Sequence, residues 1–326
     1  MKLLYLYSIA LFLVISNQIN AIGNIQPFKL SQVKLLDSPF LNAQQLDLKY
    51  ILELDMDRLL APFLKDAGIK PIKQNYGNWE SMGLDGHTGG HYLSALSLMY
   101  ASTGNEELLL RLNYMINWLD SCQRKNGNGY VGGIPDGLVF WNDLAAGNTA
   151  AVKTRWVPLY NIHKLYAGLL DAYLYTNNTQ AWEVLIKLSD WFYNLSLKLS
   201  DDQIQQILKT EHGGLNDVFA EIARITGDKK YLDLAIRISH KAILEPLVQH
   251  KNLLAGLHAN TQIPKIIGFK RIADVSGEVK WDEAAKYFWE TVVNQWTVSI
   301  GGNSVREHFH PTNDFSSVLE SNEGPE

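Results

Sequence analysis

What the chain lacks narrows its reading first. A single cysteine, Cys122, in 326 residues leaves no internal disulfide framework. Its setting, MINWLDSCQRKNGNG, is the end of an amphipathic helix, where a thiol serves as a small packing residue. Charge of one sign is also missing: 29 Lys and Arg against 34 Asp and Glu give a net charge of -5. No field of that size gathers nucleic acid or an anionic membrane, so neutral partners fit better and no nucleic-acid partner is expected. Long apolar runs are absent except one, LLYLYSIALFLVIS, which follows Lys2 and precedes NQINA. A basic start, an apolar stretch and a small residue at Ala21 predict a signal peptide over 1–21. That run is short for a membrane span of about 20 residues. The expectation is therefore an exported protein, secreted or periplasmic, without stable membrane insertion, whose mature part is 22–326.

What is present points to a helical repeat. The chain is 46% hydrophobic, enough for a large core, and carries nine Trp and fifteen Tyr, whose flat faces pack cores and also stack on sugar rings. Asp37, Ser38 and Pro39 read as a cap and first turn, predicting one long helix through LNAQQLDLKYILELDMDRLLAPF. Four segments then share one pattern: an apolar helix, a turn of Thr or Ser, then Gly or Asn, then an acidic or amide residue, and a second helix. Gly or Asn supplies the left-handed residue that ends one helix, and the following side chain caps the next. The turns begin at Thr103, Thr176, Thr226 and Ser276, which are 73, 50 and 50 residues apart. Helical hairpins at that interval predict a toroid or solenoid, with the loops between hairpins on one end.

Those loops hold the chemistry. GLDGHTGGHYL carries His87 and His91, VPLYNIHKLY carries His163, KTEHGGLND carries His212 and AGLHANTQIPK carries His258. Five of nine histidines thus precede or open the first helix of a hairpin. A neutral imidazole offers one donor and one acceptor, suited to adjacent hydroxyls. A lone histidine at such a place also serves as a structural residue, and His87 and His91 have the spacing of a metal pair. HTGGH, however, lacks the acidic partner of the zincin motif and holds two glycines. Trp79, Tyr160, Asn161 and Asn260 are further candidate ring contacts. After the fourth hairpin, NQWTVSIGGNSVREHFHP predicts short β segments near 296–310 and places Glu307 between Arg306 and His308. Glycoside hydrolysis needs a proton donor and a second group, and the late carboxylates are Glu307, Glu320, Glu323 and Glu326.

In order, LLDSPFLNAQQLDLKYILELDMDRLLAPF, GHTGGHYLSALSLMYASTGN, PLYNIHKLYAGLLDAY, EHGGLNDVFAEIARITGD, LHANTQIPK, SIGGNSVREHF and EGPE resemble the catalytic domain of the bacterial β-L-arabinofuranosidases of glycoside hydrolase family 127 and its relative family 146. The resemblance implies an all-α (α/α)6 barrel continued by β-sandwich domains. It also implies release of terminal β-L-arabinofuranose, with retention, from plant-type oligo- or polysaccharides. In that family a cysteine thiolate held at zinc is the nucleophile, and a glutamate of an E-x-C motif is a further zinc ligand and acid/base. By motif, Glu326 matches that glutamate, Glu307 a sugar-binding glutamate needed for activity, and His163, His212 and His258 the histidines that bind arabinose hydroxyls. The chain stops at Glu326, before the cysteine of the motif, and its opening helix and four hairpins are fewer helices than a closed ring needs. The expectation is an N-terminal portion, with the following helices and β-sandwich domains absent, that alone neither holds zinc nor turns over substrate. Two other readings stay open on the residues: a polysaccharide lyase or unsaturated-uronide hydrolase on the same toroid, and a non-catalytic helical scaffold.

Overall fold

The structure, a computed structural model, describes residues 27–314; the predicted signal peptide and Glu320, Glu323 and Glu326 lie outside the described residues. Helix α1 (Pro39–Glu53) starts as the sequence predicts, with the Ser38 hydroxyl accepting from the Leu41 N–H at 3.3 Å and Pro39 in the first turn. The single long helix expected there is instead two. Leu54 turns extended and Asp55 caps α2 (Met56–Asp66), its carboxylate accepting from the Asp57 and Arg58 N–H groups. The groups exposed by this break are satisfied from far along the chain: the Asp55 N–H donates to the Tyr76 hydroxyl at 2.9 Å and Arg111 donates to the Leu54 carbonyl at 3.0 Å.

Four hairpins follow. α3 (His87–Thr103) and α4 (Glu106–Asn126) form the first; after the short α5 (Gly137–Ala145), α6 (Pro158–Thr176) and α7 (Thr179–Ser196) form the second. The short α8 (Asp201–Ile207) precedes the third, α9 (Leu215–Thr226) and α10 (Lys229–Arg237); α11 (Lys241–Val248) precedes the fourth, α12 (Ala259–Ser276) and α13 (Val279–Gln295). At the turns Gly104, Asn177, Gly227 and Gly277 have φ of 71, 57, 70 and 73°, the left-handed conformation that ends a helix. Asn105, Asn178 and Asp228 then cap the next helix with their side chains.

The first helix of each hairpin lies inside and the second outside. α3 runs along α6, α6 meets α9, and α9 runs along α12. The inner helices are parallel: Asn161 near the start of α6 donates to the Asp85 carbonyl just ahead of α3, while farther along Ser94 donates to Asp171. Glycine permits the closest approach, since a Cβ on Gly90 of α3 would overlap the Lys164 backbone and one on Gly168 of α6 would overlap the Gly90 carbonyl. α9 and α12 are held by charge as well, Arg271 pairing with Asp217 at 3.0 Å and with Glu221 at 3.1 Å. The core between inner and outer helices is aromatic, with Tyr166, Phe192 and Phe219 in mutual ring contact, and Cys122 is buried in it. No strand occurs among the described residues; the β character predicted near 296–310 is confined to isolated bridges of His308 with His258 and Val305. No described helix is long and apolar enough to cross a membrane.

Candidate active site

Because the inner helices are parallel, their N-termini and preceding loops share one mouth, and the predicted histidines lie around it. His87 is the first residue of α3 and is buried. Its Nδ1 lies 2.7 Å from a Glu80 carboxylate oxygen and 2.6 Å from the Leu84 carbonyl. Both neighbours are acceptors, so Nδ1 carries a proton and donates there. Glu80 is almost fully buried, 4% exposed, and also accepts from the Gly86 and Thr88 N–H groups at 2.8 Å each. Burial pushes its carboxyl up, but the hydrogen bonds from His87, Gly86 and Thr88 outweigh that and hold it below its ordinary value. The carboxylate thus caps α3 and aims His87 at once, a job the sequence gives no local sign of.

His91, one turn on, meets His87 edge to face with ring centres 6.0 Å apart. Its ring reaches solvent but stands in a concave wall of protein, and desolvation, with Lys164 nearby, lowers its pKa to about 4. His163 on α6 lies under the loop Gly213–Gly214, where a Cβ on Gly213, at φ +58°, would collide with its Nδ1. His212, in the same loop, is fully buried; its Nδ1 faces the Thr210 carbonyl at 3.2 Å and its Nε2 has no protein partner. Burial first, then the positive charges of Lys164 and Lys265, keeps His163 and His212 neutral, well below the usual imidazole pKa. Behind them lies a buried polar cluster that sequence reasoning missed: the Lys265 ammonium donates to Gln262 at 3.0 Å and lies 3.3 Å from His240 Nδ1. Desolvation lowers Lys265 to about 8 and His240 to about 4.

His258 caps α12, its Nδ1 accepting from the Thr261 N–H at 3.1 Å. The proton therefore sits on Nε2, which lies 3.4 Å from the Glu307 carboxylate. Forty-nine residues separate the two in sequence; backbone bonds join them, from the Ala259 N–H to the Glu307 carbonyl at 2.8 Å and from the Phe309 N–H to the Leu257 carbonyl at 3.0 Å. Arg306 and Glu307 both take left-handed φ, 51 and 64°, a strained pair that costs about 1 kcal/mol or more per residue and that the surrounding bonds must hold. Glu307 is left mostly exposed at the mouth, facing His258 among the described residues, with lone pairs to spare. The structure thus brings His258 and Glu307 together, and His87 with His91, with His163 and His212 between the two groups; Glu326 lies outside the described residues.

The described residues do not fit a zinc site of the kind the resemblance implies. No three His, Cys, Asp or Glu side chains among them converge on a metal position. Cys122 is buried in the core and burial pushes its thiol up to about 12, the opposite of what a zinc-bound thiolate requires.

A family model described as the catalytic domain of GH127 β-L-arabinofuranosidase matches residues 32–324. No curated protein sequence matches the chain. Among solved structures the fold is similar to that of a GH127 β-L-arabinofuranosidase from Geobacillus stearothermophilus, at 15% identity over 83% of this chain and 44% of that one, with a TM-score of 0.52. It is also similar to that of a GH127 β-arabinofuranosidase, at 17% identity over 86% of this chain and 45% of that one, with a TM-score of 0.56. The chain spans less than half the length of these two proteins.

Proposed function

The chain belongs to the GH127 catalytic-domain family of β-L-arabinofuranosidases, and from that membership we propose that it is a glycosidase acting on glycans with non-reducing terminal β-L-arabinofuranose, exported by the segment 1–21. In this reading the mouth grips the terminal sugar. His163 and His258, with His87 and His91 farther round, meet its hydroxyls, Glu307 accepts from them, and His212, buried behind, would reach the sugar only if its loop moved. The observation that carries it is the His258–Glu307 pair at 3.4 Å, an exposed carboxylate aimed by a hydrogen-bonded histidine and held on strained backbone. Such strain persists where function needs a particular placement. Retention by a zinc-held cysteine, with Glu326 as zinc ligand and acid/base, is what the family implies, and Cys122, the one cysteine of this sequence, is buried with its thiol pushed up and does not fill that role. The zinc-held thiolate and remaining ligands are not among the described residues, so no step is derived through the metal.

The test is calorimetric titration of the chain with L-arabinose and with methyl β-L-arabinofuranoside, alongside arabinose release from a synthetic β-L-arabinofuranoside. The arabinofuranoside should bind, and Glu307→Gln and His258→Ala should each weaken it by about tenfold or more, the loss of one charge-assisted hydrogen bond. Wild-type protein that binds neither ligand, or variants that bind as well as wild type, would refute the reading.

A further inference from the structure

Two neighbouring residues before α3 invert the usual order of burial. Glu80 is 4% exposed and Trp79 is 61% exposed, although carboxylates are among the residues least often buried and indoles are usually inside. The turn Asn78–Ser81 produces this inversion: Asn78 enters it at a left-handed φ of 55°, and the Glu80 side chain then turns inward to cap α3 while the indole is held out. A second indole meets it. Trp156, in the loop before α6 and 48% exposed, stands at 89° to Trp79 with ring centres 6.4 Å apart. The two make an open right-angled corner. It is continuous with the site already described, because Trp79 lies 6.3 Å from the His87 ring and His87 lies 6.4 Å from Tyr160. Tyr160 itself is not free to stack on the face that Lys164 covers, with its ammonium 4.2 Å from the ring centre. Beyond Trp79 a groove of about 500 Å³, lined by Tyr50, Tyr76, Trp79, Met82 and His87, extends the mouth outward.

The mouth is therefore divided. One half is polar, with His258 and Glu307; the other is aromatic, with Trp156 against Trp79 and Trp79 against His87. A sugar ring presents an apolar face of C–H groups and a polar edge, and a right-angled pair of indoles offers a stacking face and a wall. We propose that the Trp79–Trp156 corner is a second subsite, holding the next sugar ring of the glycan while the terminal unit occupies the histidine and Glu307 half. The inference rests on the sugar-binding reading of the mouth and adds where the second ring of such a glycan sits.

The experiment compares affinities of the chain for methyl β-L-arabinofuranoside and for a β-L-arabinofuranosyl disaccharide, in wild type, Trp79→Ala, Trp156→Ala and the conservative Trp79→Phe. Wild type should bind the disaccharide more tightly. Each Ala variant should lose about tenfold on the disaccharide and nothing on the monosaccharide, and Trp79→Phe should recover part of the loss. Both rings are exposed, so these variants should fold. Equal affinity of all variants for the disaccharide, which is the result if protein rather than sugar covers the corner, would overturn the subsite while leaving the monosaccharide reading intact. Wild type that binds neither ligand would overturn both.

Discussion

Glu80 shows how one side chain can hold a site and a helix together. Its two oxygens accept from two backbone N–H groups and the His87 ring, and the carboxylate itself is almost fully buried. Glutamine at this position keeps one acceptor and points an NH2 group at a donor, so Glu80→Gln should cost about 2–3 kcal/mol by urea unfolding at pH 7. The sign with pH is set by the lowered carboxyl of Glu80. Its contribution is present above the ordinary glutamate pKa and is lost as acid protonates the folded carboxylate, so the difference between wild type and variant should shrink below about pH 4.5. An equal difference at pH 7 and pH 3.5 would refute the assignment. Nothing local in GNWESMGLDGH points to this role, since Glu80 stands seven residues before His87 and reaches it only after the turn folds back. Glu307, by contrast, stood out by its setting between Arg306 and His308, but its partner, His258, was fixed only by the backbone bonds between the two segments.

At the scale of elements, the hairpins were readable because every part of their signal is local. Thr103, Thr176 and Thr226 each donate to the carbonyl four residues back, at 2.7, 2.6 and 2.8 Å, and the hydroxyls of Thr103, Thr226 and Ser276 accept from the N–H two residues on. The motif therefore closes one helix and orients the residue that starts the next without help from elsewhere. The break at Leu54 was not readable for the opposite reason. Its backbone partners, Tyr76 and Arg111, arrive from distant segments, and the local sign is a lone Asp55 cap in an otherwise helical pattern. Contact between α3 and α6 is likewise tertiary, and Gly90 is its tightest point, where a Cβ would meet the backbone of Lys164 and Leu165, atoms that cannot rotate away. Gly90→Ala should cost more than about 3 kcal/mol, against a slight gain at an exposed helical position. A thermal midpoint equal to that of wild type would show that the two helices are not so closely joined. Because α3 and α6 carry His87, His91 and His163, the same substitution should also lower affinity for the arabinofuranoside in whatever fraction remains folded.

The whole molecule keeps an unusual amount of ionisable chemistry away from water, and the consequences oppose one another. His163, His212 and His240 are held neutral by burial, so the unfolded chain takes up protons near pH 6.5 before the folded chain does, and these groups lose stability as pH falls. Asp66 and Asp171 act the other way. Burial raises both to about 6, so the folded chain binds protons that the unfolded chain does not until near 3.8, and their cost, complete above pH 6, disappears on acidification toward pH 4. One variant separates the two sets. Asp171 joins α6 to α3 through the Ser94 hydroxyl, which donates to it at 2.6 Å, and the carbonyl oxygen of asparagine can accept that bond without carrying a charge. Asp171→Asn should therefore be more stable than wild type by about 1–2 kcal/mol at pH 7.5, a discount on the full linkage because the site is only partly shut off from water. That advantage should fade between pH 6 and pH 4, and the variant's stability should fall more steeply than wild type's across that window, since the histidines then act with less opposition. Denaturant unfolding at pH 7.5, 6, 5 and 4 measures both slopes. A variant less stable than wild type at pH 7.5, or one whose advantage grows toward acid, would mean that Asp171 is held as a favourable carboxylate and that the charge between the inner helices serves to bind them.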